Sequence, residues 1–152
     1  MAVTEAKPGS VLERLKLAVA GKAPSAPIAK LLGMQVTEVE AGRVVLEMDA
    51  GPAHYNPMGT LHGGVLCDLA DAAMGMTYAS LLEPGESFTT LELKINFLKP
   101  VFQAHLRAEG KMVKSGKTVG LVACDVTDEK GSLVAHVTST CMTLRGEMAK
   151  GR

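Results

Sequence analysis

Between residues 56 and 71 the sequence gathers the side chains best suited to chemistry: Asn56, the run His62-Gly63-Gly64, and the carboxylates Asp68 and Asp71. The two glycines open a stretch, Gly63 to Leu82 (GGVLCDLADAAMGMTYASLL), whose length and apolar character predict a helix. In the first turn of a helix the backbone N–H groups lack intrahelical acceptors. Glycine lets a ligand oxygen approach them closely, and the helix N-terminus favours negative charge. Such a place can hold an oxyanion, where removing one donor typically costs about 10²–10³ in rate. Asp71 is a carboxylate inside an apolar helix, a position that demands a partner, a water or a chemical task. It can take a proton from water or attack a carbonyl carbon itself. Asp68, one turn earlier on a neighbouring face, is the reserve candidate. Asn56 could hold a carbonyl or a water, or could form an Asx-turn before Pro57. His62 could orient a substrate or cap the helix.

These residues must be positioned by the elements around them. Residues 1–9 read as a loose tail. Ser10 is placed to cap a short helix over Val11 to Ala20, ended by Gly21, and Pro27 to open a turn over Ile28 to Leu32, closed by Gly33. The period then changes to two: Met34 to Val39 and Val44 to Met48 read as a hairpin around Glu40-Ala41-Gly42. Loop residues follow, dense in Gly and Pro from Gly51 to Gly59, and lead into the helix. After Pro84-Gly85 the alternation returns. Phe88 to Leu98, His105 to Val113, Thr118 to Thr127 and Leu133 to Leu144 read as strands, with turns at Lys99-Pro100, Ser115-Gly116 and Asp128 to Gly131. Two strands, one buried helix and four strands, without βαβ alternation, predict an α+β fold in which an antiparallel sheet wraps round one long central helix. The expected organisation is an N-terminal tail and short helix over 1–26, one domain over 27–146 and a C-terminal tail over 147–152.

Composition narrows the partners. At 152 residues the chain can bury a single core without staples. Sixteen acidic and sixteen basic residues cancel, which argues against nucleic acid and anionic membrane as partners. The one apolar segment carries two carboxylates mid-span, which would be expensive in lipid. Cys67, Cys124 and Cys141 are odd in number, widely spaced and set in apolar runs, so they read as free thiols in a reduced, cytoplasmic protein. No Cys/His cluster suggests a metal, and no cofactor is expected. Gly110 with Ser115-Gly116-Lys117-Thr118 looks like a phosphate-binding loop, but the spacing is wrong and the residues that follow read as strand.

Tyr55 to Gly64 (YNPMGTLHGG) resembles the HGG motif of hotdog-fold thioesterases, in particular the phenylacetate-degradation (PaaI-like) and 4-hydroxybenzoyl-CoA thioesterase group. That pattern is a loop Asn or Gln, then HGG opening the helix, then an acidic residue nine positions after the His. Asn56, His62-Gly63-Gly64 and Asp71 match it, and the element order extends the likeness over roughly residues 30–145. The resemblance implies a hotdog fold and hydrolysis of an aryl- or medium-chain acyl-CoA, with Asp71 catalytic and Gly63 in the oxyanion hole. It also implies supporting roles for Asn56, His62 and Thr90, the last as a water-orienting hydroxyl on the third strand. A thiol of pKa about 8.5 departs without a strong acid, so oxyanion donors and one carboxylate could suffice.

Spacing adds a constraint. Gly63 and Asp71 are separated by about 12 Å along a helix, so they cannot both touch one carbonyl. A second chain with its helix reversed would bring its Asp71 to this Gly63, and the resemblance likewise implies sites at dimer interfaces. A homodimer, which can pair again into a homotetramer, is therefore expected. Substrate contacts are expected from Gly64, from Met74, Met76, Thr77 and Tyr78 as pocket floor, and from Lys99, Lys114 and Lys117, with Arg107, toward CoA phosphates. The rival readings are a hotdog hydratase or dehydratase, which pairs a His with a carboxylate, and a non-catalytic acyl-CoA-binding domain. The HGG helix start argues against the first, and the retained Asp71 against the second.

Overall fold

The computed structural model describes residues 9–151; residues 1–8 of the expected N-terminal tail, and residue 152, lie outside that range. Two short helices, α1 (Val11–Val19) and α2 (Pro27–Leu32), precede the hairpin of β1 (Gln35–Glu40) and β2 (Arg43–Ala50). The Ser10 hydroxyl accepts from the Glu13 N–H and caps α1, while Gly33 closes α2 in the left-handed conformation. Then come the long helix α3 (Gly63–Ala79) and four strands: β3 (Ser87–Phe97), β4 (Ala104–Ser115), β5 (Val119–Thr127) and β6 (Leu133–Leu144). All six strands form one antiparallel sheet in the order β1-β2-β4-β5-β6-β3, and α3 lies against one face of it. This is the hotdog architecture.

The core is the layer between α3 and the sheet. Leu69, Ala70, Ala73 and Met74 of the helix are fully buried, as are Val44, Leu106, Ala108, Val122, Val126 and Val137 of the strands. Helix and sheet approach closely because β4 and β5 carry glycine where α3 crosses them. A methyl carbon at Gly110 would stand 2.8 Å from the Ala73 carbonyl oxygen and closer still to the Thr77 hydroxyl; one at Gly120 would stand 2.7 Å from the Tyr78 ring.

Three features differ from the sequence reading. The helix ends at Ala79 rather than Leu82, because Ser80 is fastened to the sheet: its hydroxyl donates to the Thr77 carbonyl and accepts from the Gly42 N–H. Residues Lys99-Pro100 are not a hairpin turn, since β3 pairs with β6 alone and the chain must cross to the sheet centre to begin β4. And α3 is not wrapped on all sides. Asp68 and Asp71 are exposed, and Gly64, Val65, Cys67, Ala72 and Met76 are only half-buried, so one stripe of an apolar helix stays open in the single chain.

The close approach at Gly110 yields a direct test. Gly110→Ala should destabilise the protein by about 1–3 kcal/mol through overpacking. At about 2–4 °C per kcal/mol for a chain of this size, Tm should fall by several degrees in a thermal melt at fixed protein concentration. An unchanged Tm would contradict the packing described.

Candidate active site

The site begins at the helix start. His62 is the N-cap of α3: its Nδ1 accepts from the Gly64 N–H at 2.9 Å, and its carbonyl accepts from the Val65 N–H at 3.0 Å. The Gly63 N–H is left as the first-turn donor with no acceptor among the described residues. The Phe97 ring rests on Gly63, where an added Cβ would meet the ring at 2.9 Å. Gly63, Leu61, Leu66, Phe97 and Lys99 line one open pocket of about 430 Å³ at this end of the helix.

Asp71 lies two turns further on. Its Oδ1 faces the Thr90 hydroxyl at 3.4 Å, a long hydrogen bond that Thr90 donates from β3 just before a bulge at Thr90/Glu92. Although the Asp71 residue is exposed, the apolar neighbours packed round its carboxyl desolvate it in part and raise its pKa above the ordinary value; the Thr90 bond works against that shift and the Asp68 charge adds to it. No cation pairs with Asp71 among the described residues. Beside it runs a groove of about 250 Å³ lined by Asp71, Ala72, Gly75, Met76, Ala79, Phe88 and Thr90, with no histidine in its wall.

The other expected residues fall as follows. Asn56 is engaged in its own loop: Oδ1 accepts from the N–H groups of Met58 and Thr60, and Nδ2 donates to the Thr60 hydroxyl. Met74 is sealed in the core, and Thr77 and Tyr78 are buried with their hydroxyls bonded to the Ala73 carbonyl and to Thr143. They are not groove floor in this chain, because they sit on the sheet side of α3; of the four, only Met76 reaches the groove. Arg107 is held by Glu38 and Glu109, both at 3.0 Å, and does not serve as a free cation. Lys99 pairs with Asp128 at 2.5 Å. Lys114 and Lys117 are exposed, and Lys117 lies beside Tyr78, Leu81 and Leu82 past the far end of α3. A helix of that length spans about 25 Å, so one chain does not bring Lys117 to Gly63. His105 is bonded to Asp49 and Glu47, and His136 to Asp125, on the exposed face of the sheet.

None of the three free cysteines is poised as a nucleophile. Burial pushes the Cys124 thiol up to about 12, and the Cys67 and Cys141 thiols are also raised by burial and by nearby carboxylates.

Sequence reading missed Phe97, Phe88, Gly75, Ala72 and Ala79. Gly75 and Ala79 were within reach, since positions four and eight beyond Asp71 fall on its side of the helix, with Ala72 at the next position round. Phe88 stands two residues from Thr90 on one strand and so faces the same side.

Residues 58–135 match the thioesterase superfamily. The chain belongs to that family. It is 28% identical over 137 residues to human acyl-coenzyme A thioesterase 13, covering 84% of this chain and 92% of the relative. It is 28% identical over 107 residues to 1,4-dihydroxy-2-naphthoyl-CoA hydrolase of Listeria monocytogenes, covering 70% and 87%. Among solved structures, a thioesterase family protein from Silicibacter pomeroyi superposes with a TM-score of 0.78 at 27% identity, over 90% of this chain and all of that one. The protein is therefore a thioester hydrolase of the PaaI-like hotdog group. No helix among the described residues is long and apolar enough to cross a membrane.

The environment of Asp71 makes a prediction that needs no substrate. Carboxyl carbon NMR should find Asp71 titrating above the usual aspartate range. Thr90→Val should raise that value further, by removing a donor to the ionised form, and Asp68→Asn should lower it, by removing a like charge. An Asp71 that titrates at the ordinary value, or moves oppositely in the two variants, contradicts the site described.

Proposed function

We propose that the protein hydrolyses acyl-CoA thioesters at a site shared by two chains, with Asp71 of one and the Gly63 N–H of the other meeting at one carbonyl. The observation that carries the reading is the pair of groups on one helix left unspent among the described residues: a first-turn N–H without an acceptor, and two turns away a carboxylate without a cation. They stand about 12 Å apart along the axis, too far to act together within a chain. The open stripe of α3 and the outer edge of β3 supply the surface for a second copy. That edge has no partner strand among the described residues, and Leu91 and Phe97 along it are 53% and 56% exposed. Edge-to-edge pairing of two β3 strands would extend the sheet and set the two α3 helices side by side and antiparallel.

In such a dimer the thioester carbonyl oxygen lies at the Gly63 N–H, where the helix N-terminus stabilises the charge that develops. Asp71 either takes a proton from water as the water attacks, or attacks the carbonyl carbon itself to give an anhydride that water then opens. Thr90 positions the carboxylate through its hydroxyl. The CoA thiol leaves as thiolate. His62 acts through the cap that fixes Gly64, and Asn56 by shaping the loop ahead of the helix. Antiparallel helices also carry the partner's Lys114 and the partner's Lys117 toward the Lys99 end of this chain, where they would supply cations to the CoA phosphates beside the Lys99–Asp128 pair. Cysteines that are all free suit a reducing cytoplasm.

Kinetics on acyl-CoA substrates with a thiol-detecting reagent test the assignment. Asp71→Ala and Asp71→Asn should each fold and lower kcat by roughly 10²–10⁴, the usual worth of a positioned base. Asp68→Ala should retain most of the turnover. A loss in kcat at little changed KM marks Asp71 as a transition-state group. Loss with Asp68→Ala and not with Asp71→Ala would reverse the assignment.

A further inference from the structure

The groove beside Asp71 has a polar end and an apolar end. Asp71 and Thr90 stand at one end; beyond them its walls are Ala72, Gly75, Met76, Ala79 and Phe88, with no hydrogen-bonding side chain. The four α3 residues fall at the i, i+3, i+4, i+7 spacing of a single stripe that flanks Asp71, so the groove runs along the helix for about 12 Å, from Asp71 to Ala79. It is shallow in side chains where it must be: Gly75 lies under the Phe88 ring, and a Cβ there would stand 3.2 Å from Phe88 Cζ. Phe88 is held in turn by Tyr78, their ring centroids 5.6 Å apart, and the Tyr78 hydroxyl is fixed to Thr143.

Building on the proposed thioesterase site, we infer that this groove receives the acyl chain, and that it selects an unbranched, unsubstituted aliphatic chain of medium length over a hydroxylated aryl group. The carboxylate that acts on the carbonyl is continuous with the groove, so the carbon chain beyond the carbonyl enters it directly. An apolar groove floored by small residues and running along the helix fits a flexible chain. A phenolic hydroxyl carried into it would lose its water and meet no donor or acceptor. Gly75 and Phe88 set the width and Met76 the outer wall, which makes these three the specificity-determining residues.

The test is a kcat/KM profile of the full-length protein over straight-chain acyl-CoAs from acetyl to dodecanoyl, with benzoyl-CoA and 4-hydroxybenzoyl-CoA as aryl probes. Wild type should rise to a maximum at a medium chain and handle 4-hydroxybenzoyl-CoA at least tenfold less well, since one misfitted group in an apolar pocket is worth about 10–200-fold. Gly75→Ala narrows the trough while improving helix propensity. It should cut the ratio of dodecanoyl to butanoyl turnover about tenfold. Met76→Ala, which opens the outer wall, should shift that ratio the other way. A wild type that prefers 4-hydroxybenzoyl-CoA overturns the inference and leaves the thioesterase reading standing. So do length profiles unmoved by both substitutions. Should the substitutions instead change the oligomeric state in light scattering with the profile unchanged, the groove holds a second copy of the chain and not the acyl group. A protein that hydrolyses none of the panel removes the function reading and this inference with it.

Discussion

The whole arrangement depends on how closely α3 lies on the sheet. Gly110 and Gly120 leave no side chain where the helix crosses β4 and β5, so the Ala73 backbone and the Thr77 and Tyr78 side chains come down against strand backbone. That contact fixes the rotation of the helix about its axis. With Leu69, Ala70, Ala73 and Met74 turned inward, Gly64, Asp68, Asp71, Ala72 and Met76 must turn outward or toward β3. Asp71 then falls opposite Thr90, and the small residues that follow it fall along an open groove. A helix rolled by one residue would bury the carboxylate in the core or turn it away from the edge strand.

The same packing leaves a cost at Asp71. Its apolar surroundings favour the protonated form, so the folded carboxyl binds a proton more tightly than the unfolded one. Stability from this group is therefore present at low pH and is lost as pH rises from the unfolded pKa through the raised folded value. Solvent screens that effect at an exposed residue, so its cost to the fold is small, while the raised value makes a carboxylate beside a groove more basic.

Much of this was legible in the sequence. His62-Gly63-Gly64 opens the helix as the run of residues predicts, and Leu133 to Leu144 is a strand over the expected range. What could not be read was set by contacts between distant segments. Nothing near Lys99-Pro100 says that β3 returns to the sheet beside β6, because that pairing belongs to residues forty positions later. The role of Asn56 was open between a carbonyl contact and an Asx-turn, and the loop bonds to Met58 and Thr60 now account for its Oδ1 and one of its amide hydrogens. Arg107 looked available until it was seen between Glu109, two residues along its own strand, and Glu38, which reaches it from β1 across β2. Apolar character alone could not tell Met74, which faces the sheet, from Met76, which lines the groove with Gly75, because the rotation of the helix is set by its contact with β4 and β5.

The central claim is that each reaction centre draws Asp71 from one chain and Gly63 from the other. Mixing two disabled variants tests it most directly. Asp71→Ala and Gly63→Val each inactivate both sites of their own dimer; in the second, the added side chain crowds the Phe97 ring and the N–H beneath it. After co-refolding or subunit exchange, a mixed dimer carries both defects at one site and neither at the other. With random pairing of equal amounts, about a quarter of all sites are intact, so the mixture should recover about a quarter of the wild-type turnover. A mixture that exchanges subunits, as shown by tagged-chain pull-down, yet stays as inactive as its two parents would place both groups in one chain's site and contradict the account.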